Sequence, residues 1–298
     1  MAKIRFILML ICTIVTLLPT TMVAAETNVN VTVNSLGNSS TDTEIRGTTN
    51  WNKGVVQAIG RGVPSIQATS QAQANAMVRR AAVVDAYRNL LEAVGEVRVE
   101  ATTTVKNFEL ESDVVKTRIS GLIQGARIVN EQPMADGSYQ VTMEINLFGA
   151  NSVAAAIADK MSPPEILPLP MPSPEYIVPS QTMPVYTGVV VDARGMGLER
   201  IMSPRIYDET GRIIYGNMYI DSDMVVHNGM VDYTASSRMM DNNKTDSSRA
   251  GSNPIFVKAI RLKDFNANVV ISKFDADMIL ASNRQDNFFA HTAVVFEQ

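Results

Sequence analysis

Residues 54–95 read GVVQAIGRGVPSIQATSQAQANAMVRRAAVVDAYRNLLEAVG, and the fold class turns on them. A short apolar run through Val55, Ala58 and Ile59 ends in Gly60-Arg61-Gly62, where two glycines free the backbone for a turn at Pro64. From about Ile66 to Val94 there is neither glycine nor proline, and Gly95 then supplies a stop, which is the pattern of one long helix. Ser65 or Ser70 can cap it, and Ser70 with Gln73 has capping-box spacing. Met77, Ala81, Val84, Tyr87, Leu91 and Val94 recur at three- and four-residue steps, widened by Val83 and Leu90, and form the expected buried stripe. Asn75, Arg79, Asn89 and Glu92 fall on the other side. Ala72, Ala76, Ala82 and Ala86 keep the helix thin enough for a sheet to pack closely, and an exposed Arg88–Glu92 pair would contribute little.

Beyond Gly95, Val97, Val99 and Ala101 alternate with Arg98, Glu100 and Thr102, a half-buried strand running toward Val105. Ser112-Asp113 opens a short helix carrying Val115, Ile119 and Leu122, which weakens at Gly121 and Gly125. Ile128–Gln132 and Tyr139–Phe148 flank Asp136-Gly137, a hairpin turn in which both positions tolerate positive φ. Tyr139, Val141, Met143, Ile145 and Leu147 share one strand face. Residues 54–150 therefore read as α+β, an antiparallel sheet packed on one long and one short helix.

These residues carry a resemblance. The Gly60-x-Gly62 turn, the helix pattern through Ala76, Ala82, Asp85-Ala86 and Leu90-Leu91, the Gly121–Val129 stretch and the Asp136-Gly137-x-Tyr139-x-Val141 hairpin, in that order, resemble the twenty-kilodalton lipoprotein (LPP-type) family. That family is similar in turn to the N-terminal domain of flagellar assembly protein T. The resemblance implies an envelope-associated protein without known catalysis, several members being tied to flagellar outer-membrane structures. This sequence departs from the lipoprotein members in having no cysteine at the cleavage position, so the lipid anchor does not carry over.

The N-terminus gives the compartment. Lys3 and Arg5 precede an apolar run from Ile7 to Leu18, and Val23-Ala24-Ala25 offers small residues for cleavage after Ala25. The run falls short of the ~20 apolar residues of a membrane span, so residues 1–25 read as a secretory signal. Its removal takes Lys3 and Arg5 and moves the formal net charge from −4 to −6. Cys12, the single cysteine, leaves with it, which excludes a disulfide, a thiolate metal site and a cysteine nucleophile. A mildly acidic product is not a general binder of nucleic acid or anionic lipid, and no transmembrane segment is expected after cleavage. Residues 26–53 read as an extended or disordered leader, in which Val29, Val31 and Val33 alternate with polar residues and can add to a sheet edge of another subunit.

Residues 151–184 read as a linker, first alanine-rich with one or two helical turns to Lys160. A stiff run follows from Pro163 to Pro184 that cannot join a sheet. Residues 185–298 read as a second, β-rich α+β domain. Its expected strands are Tyr186–Val191, a hairpin of Ile206-Tyr207 and Ile213–Tyr215, then Ile255–Leu262, Val269–Ser272 and Thr292–Phe296. Helices are expected around Tyr233–Met240 and Asp275–Ser282.

The sharpest polar cluster is Asp192, Arg194, Gly195 and Gly197. It reads either as a ligand loop, because glycine lets amides approach an anion, or as a tight turn closed by an Asp–Arg pair, and turn chemistry alone favours the latter. Asp241-x-Asn243-x-Thr245 begins like a calcium loop but has Asp246 where glycine is needed and Ser252 where glutamate is needed. Asp221-x-Asp223 and Asp275-x-Asp277 are similarly thin, and Asp275 reads as a first-turn helix residue. His227 and His291 have no metal-ligand neighbours at helical spacing, and no Gly-x-Ser-x-Gly occurs. The methionines of the C-terminal half read as core filling. No catalytic, metal or cofactor-binding residue is assigned, and no cofactor is expected. The expected protein is an exported, non-enzymatic cell-envelope component, periplasmic or extracellular, that contacts other envelope or flagellar proteins or its own copies. The alternatives are a soluble periplasmic module binding a small ligand or cell-wall glycan, and a hydrolase built on His227 or His291.

Overall fold

β1 (Gly47–Asn50) and β2 (Val55–Gly62) form an antiparallel hairpin whose turn, Trp51–Gly54, closes on Gly54 at φ 63°. This is a computed structural model, and it describes residues 46–64, 67–163, 165–176, 184–235 and 248–298. The signal, the Val29–Val33 run, Ser65 and the stretch from Asp241 to Asp246 lie outside the described residues. The sheet thus begins within the segment read as leader, and Gly47–Asn50 pairs with the chain's own β2. Everything described belongs to one compact unit, Glu44–Gln298.

α1 (Gln71–Gly95) starts later than expected. Ser70 Oγ accepts from the Gln73 amide at 3.2 Å, and Gln73 Oε1 accepts from the Thr69 amide at 2.9 Å, so both donors at the helix entrance are satisfied. The expected strand after Gly95 is instead an irregular loop closed by a bridge between Arg98 and Thr104, followed by α2 (Val105–Glu111). Asn107 Oδ1 accepts from the Thr104 amide at 2.7 Å, a capping signal that outweighs the alternation of valines. α3 (Asp113–Gln124) is capped by Ser112 and ends at Gly125. β3 (Arg127–Pro133) and β4 (Tyr139–Asn146) complete an antiparallel sheet of order β1-β2-β4-β3. In their turn only Gly137 takes positive φ (79°), while Asp136 Oδ1 accepts from the Ser138 amide at 2.9 Å. The turn is therefore longer than the two-residue form expected from Asp-Gly.

The face that α1 turns to this sheet corrects the sequence reading. Buried are Val78, Ala82, Ala86, Asn89, Leu90, Ala93 and Val94, whereas Met77, Val84 and Leu91 are 37%, 54% and 44% exposed. The reason is steric. A Cβ on Gly60 would lie 2.1 Å from Ala86 N, and one on Gly62 would lie 2.0 Å from Val78 O. These glycines do not serve the turn; they let strand and helix backbones approach through an alanine face. At that distance the helix also finishes the strand. Asp85 Oδ2 accepts from the Arg61 amide at 3.0 Å, and Asn89 Nδ2 donates to Ile59 O at 2.7 Å. β2 extends past its pairing with β1 there, so these side chains satisfy edge groups that would otherwise lack partners.

Residues 151–176 do not act as a free spacer. α4 (Val153–Ala156) and α5 (Ala158–Met161) bury Val153, Ala154, Ala156 and Met161, and Ile157 between them is also buried. Residues 165–176 then lie along the C-terminal half as a strap, with the Leu167 amide donating to Met218 O at 2.8 Å. Further on, Arg212 donates to Met171 O at 2.9 Å and to Asp277 Oδ1 at 2.6 Å, and the Ser173 amide also reaches Asp277 Oδ1, at 2.9 Å. Asp208 and Asp277 are 0% and 2% exposed. Burial works against their charge, but for Asp277 the Arg212 guanidinium, Ser173 and Lys273 outweigh it, and for Asp208 Thr210 and Arg212 do. Both carboxyls are held below the usual carboxylate range.

The C-terminal half contains β5 (Gly188–Asp192), β6 (Ile206–Asp208), β7 (Ile213–Tyr215), α6 (Ser222–Asn228), β8 (Asp232–Thr234), β9 (Pro254–Lys258), β10 (Arg261–Lys263), β11 (Asn268–Ile271), α7 (Lys273–Asp286) and β12 (Val294–Glu297). β8 occupies the start of the helix expected at Tyr233. The single strand expected from Ile255 to Leu262 is divided between two sheets at Ala259-Ile260. One sheet has the order β8-β12-β5-β9 with every pairing parallel; the other is mixed, β10-β11-β6-β7. β5 and β12 are buried almost throughout, as strands covered on both faces must be. The protein is α+β. Its two halves share one hydrophobic cluster, and they are pinned by the Met202 amide to Arg98 O (3.0 Å), the Ser203 amide to Val99 O (2.9 Å) and Trp51 edge-on to Tyr233 (5.7 Å).

Candidate functional site

The Asp192–Gly197 loop sits where β5 ends. Arg194 donates from Nε and Nη2 to the two oxygens of Asp192, each at 2.8 Å, and its amide reaches Asp192 Oδ1 at 3.1 Å. That paired guanidinium takes Asp192 down to about 2 and raises Arg194. Gly195 and Gly197 have φ of 74° and 73° with open space where a Cβ would stand, so backbone conformation requires glycine there. The loop is a closed turn with both Asp192 oxygens engaged.

Its position is more informative than its motif. In the parallel sheet, register places Thr234, Glu297, Asp192 and Lys258 in one row at the carboxyl ends of β8, β12, β5 and β9. Open parallel sheets present ligand crevices at that edge. Glu297 is 4% exposed; its Oε2 lies 3.4 Å from Arg194 Nε, and its Oε1 has no hydrogen-bond partner. A buried carboxylate oxygen calls for a donor. The row can thus take a hydrogen-bond donor or a cationic group at Glu297. Local motifs offer no view of Glu297 or Lys258, since only strand register unites them with Asp192.

The remaining candidates separate. Asp221 caps α6, accepting from the Asp223 amide at 2.9 Å, and Asp275 sits in the first turn of α7, where its Oδ2 accepts from Ser272 Oγ at 2.8 Å. His227 lies on α6 with Nδ1 2.8 Å from Asp223 O, while His291 ends a 3-10 turn before β12, and both are exposed. Among the described residues no three His, Cys, Asp or Glu side chains gather as metal ligands. Met202 and Met230 are buried, in keeping with core filling; Met239 and Met240 lie outside the described residues.

A second open feature is one that sequence reasoning assigned to the core. Ala81, Val84 and Leu91, with Met77, line the side of α1 turned away from the sheet. Toward the end of the helix this face runs into a groove of about 560 Å³ bordered by Leu91, Glu96, Lys106, Glu109 and Leu110. A second recess of about 390 Å³ shares Leu91 and Ser120 with it and continues past Tyr87 and Ile123. Leu110 is 79% exposed at its rim. Burial pushes the Glu109 carboxyl up, against the opposing pull of Lys116 and Lys106. The signal was present in the sequence: α1 carries more large apolar residues than one sheet-facing side can hold.

Fold and surfaces together define an α+β protein with a closed polar loop on one half and an open apolar helix face on the other. Residues 188–296 match the family model described as Treponema pallidum Tp0624, second domain. That match runs from the first residue of β5 into β12 and takes in both C-terminal sheets, leaving α1 and its groove outside it. No curated protein matches the chain.

Proposed function

We propose that this chain is an exported, non-enzymatic component of the cell envelope that acts by protein–protein contact, and that flagellar structures are among the assemblies it serves. The signal-like N-terminus and the LPP-type resemblance of residues 54–150 support the location. One observation carries the mode of action. Met77, Val84 and Leu91 remain exposed on α1 beside the 560 Å³ groove while smaller alanines are buried on its other side. Large apolar side chains gathered on one open face mark an interaction surface.

A photo-crosslinking amino acid at position 84 in the exported protein tests this, with position 59 on the far face of the sheet as control. The expected result is a discrete adduct with one envelope protein from position 84 alone. No adduct, or the same adduct from both positions, would overturn the contact reading. Normal motility and an unaltered flagellar base after gene deletion would remove the flagellar form of it.

A second reading is a soluble binding module for a small ligand or cell-wall fragment, and the partnerless Glu297 Oε1 at the carboxyl edge of the parallel sheet favours it. A ligand at 100 times its Kd stabilises by about 2.7 kcal/mol, so a thermal-shift screen of amines, cations and muropeptides gives a clear readout. A hit abolished by Glu297→Gln supports this reading, and uniformly unshifted melting excludes it.

A further inference from the structure

We infer that the outward face of α1 docks an acidic amphipathic helix of a partner protein. This rests on the contact reading above and names the chemistry of the partner.

Met77, Ala81, Val84, Arg88 and Leu91 follow one another at alternating four- and three-residue steps. That is the seam of a two-helix packing, in which such positions face a partner helix. All five are exposed, and the seam spans about 21 Å at 1.5 Å per residue. At its end the groove under Leu110 offers room for one large apolar side chain. A ridge of helical side chains fills a seam with a recess, whereas a flat bilayer surface does not.

Charge selects the occupant. Arg88 stands within the seam and Arg80 beside it, and neither makes an ion pair or side-chain hydrogen bond among the described residues; Arg88 does not pair with Glu92. The groove beyond is of mixed charge, Glu92, Glu96 and Glu109 against Lys106 and Lys116, so the seam's own charge is that of the two arginines. Arg79, by contrast, is held by Glu131 at 2.8 Å. A second copy fits poorly. Parallel pairing sets Arg88 against itself, and antiparallel pairing that keeps seam on seam sets Arg88 against Val84 or Met77, with no acid opposite it. Like charges in such positions disfavour association, while a glutamate or aspartate opposite each arginine favours it. The occupant is therefore a different protein, with apolar residues at helical spacing flanked by acids.

The test uses two synthetic three-heptad peptides with the same leucine seam, one flanked by glutamate and one by lysine, titrated against the whole exported chain by fluorescence anisotropy. The glutamate peptide should bind saturably and roughly tenfold more tightly than the lysine peptide, two attractive pairs replacing two repulsive ones. Arg80→Glu with Arg88→Glu should invert that order, and Val84→Glu should remove binding of both; circular dichroism checks that each variant stays folded. Equal binding of the two peptides, or binding indifferent to these variants, would overturn the acidic-helix assignment while leaving the position-84 crosslink intact. Dimers in sedimentation that Val84→Glu dissolves would assign the face to a second copy instead. Val84-dependent binding to phosphatidylglycerol vesicles without peptide binding would assign it to lipid.

Discussion

Adding a single methyl group at Gly60 should separate α1 from its sheet. Alanine at this position has nowhere to put its Cβ, which would lie 2.1 Å from Ala86 N, 2.2 Å from Ala82 O and 2.6 Å from Ala86 Cα. All three are helix backbone atoms and cannot swing aside as a side chain would. Restoring an ordinary contact of about 3.5 Å moves strand and helix apart by about 1.4 Å. A gap of only ~0.5–1 Å forfeits roughly a quarter to a half of a contact's dispersion energy. The loss here extends along Val78, Ala82, Ala86, Leu90 and Ala93, and it also stretches the bonds from Asp85 to Arg61 N and from Asn89 to Ile59 O. Overpacking of a rigid core costs about 1–3 kcal/mol, and backbone against backbone belongs at or above the top of that range. At about 2–4 °C per kcal/mol for a body of this size, Gly60→Ala should lower the Tm by roughly 10 °C. Gly121→Ala is the control, because its Cβ meets nothing within 4 Å on α3 and alanine there should add about 0.5–1 kcal/mol. A Gly60→Ala protein melting within about 2 °C of the parent would refute the close-approach account.

The ionic clasp under the strap gives two further expectations. Arg212→Ala takes the guanidinium from two buried carboxylates and leaves Asp208 without a cationic partner, while Asp277 keeps Lys273. It should cost about 3 kcal/mol in urea unfolding, where an exposed ion pair would cost under ~1 kcal/mol. The pH dependence follows from the sign of the shifts. Depressed carboxyls bind fewer protons folded than unfolded, so their stabilisation is present above the unfolded pKa of about 3.9 and is lost as pH falls through their lower folded values. The Tm gap between the parent and Arg212→Ala should therefore be widest near pH 7 and narrow below about pH 4; a gap constant down to pH 3 would count against the clasp.

How much of this was legible depends on whether the cause is local. Ser70, Ser112 and Ser272 cap helices because an N-cap needs only its own next turn, and each can be read from the sequence or nearly so. The hairpins at Gly137 and Gly211 are equally local. The α2 signal, Thr104 with Asn107, was also there, masked by valine alternation at Val97 and Val99, both buried in a loop whose Arg98 and Val99 carbonyls accept from the Met202 and Ser203 amides. The all-parallel order of the C-terminal sheet was hinted at by unbroken apolar runs at Gly188–Asp192 and Val294–Glu297. Its carboxyl-edge row was not, because Asp192, Glu297, Lys258 and Thr234 meet only through register across the whole half.

The misassigned face of α1 has a different cause, and it bears on what the helix does. Ranking positions by side-chain hydrophobicity selects Met77, Val84 and Leu91 for the core, because burying each would contribute about 25 cal/mol per Å² of apolar surface. The sheet selects Ala82 and Ala86 because two glycines opposite permit backbone approach along several turns, and because Asp85 and Asn89 must reach the free edge of β2. Turning the helix to bury the larger residues would drive Arg88 toward the sheet and take from Ile59 O and Arg61 N the side-chain partners that Asn89 and Asp85 supply. The outward apolar residues are therefore surplus to the isolated fold. Val84→Gln should leave unfolding free energy within about 0.5 kcal/mol of the parent, whereas Ala86→Val, a smaller chemical change in the opposite face, should destabilise by about 1–3 kcal/mol. Equal losses in the two variants would mean that Val84 packs within the chain, and the outward face of α1 would lose its standing as a contact surface.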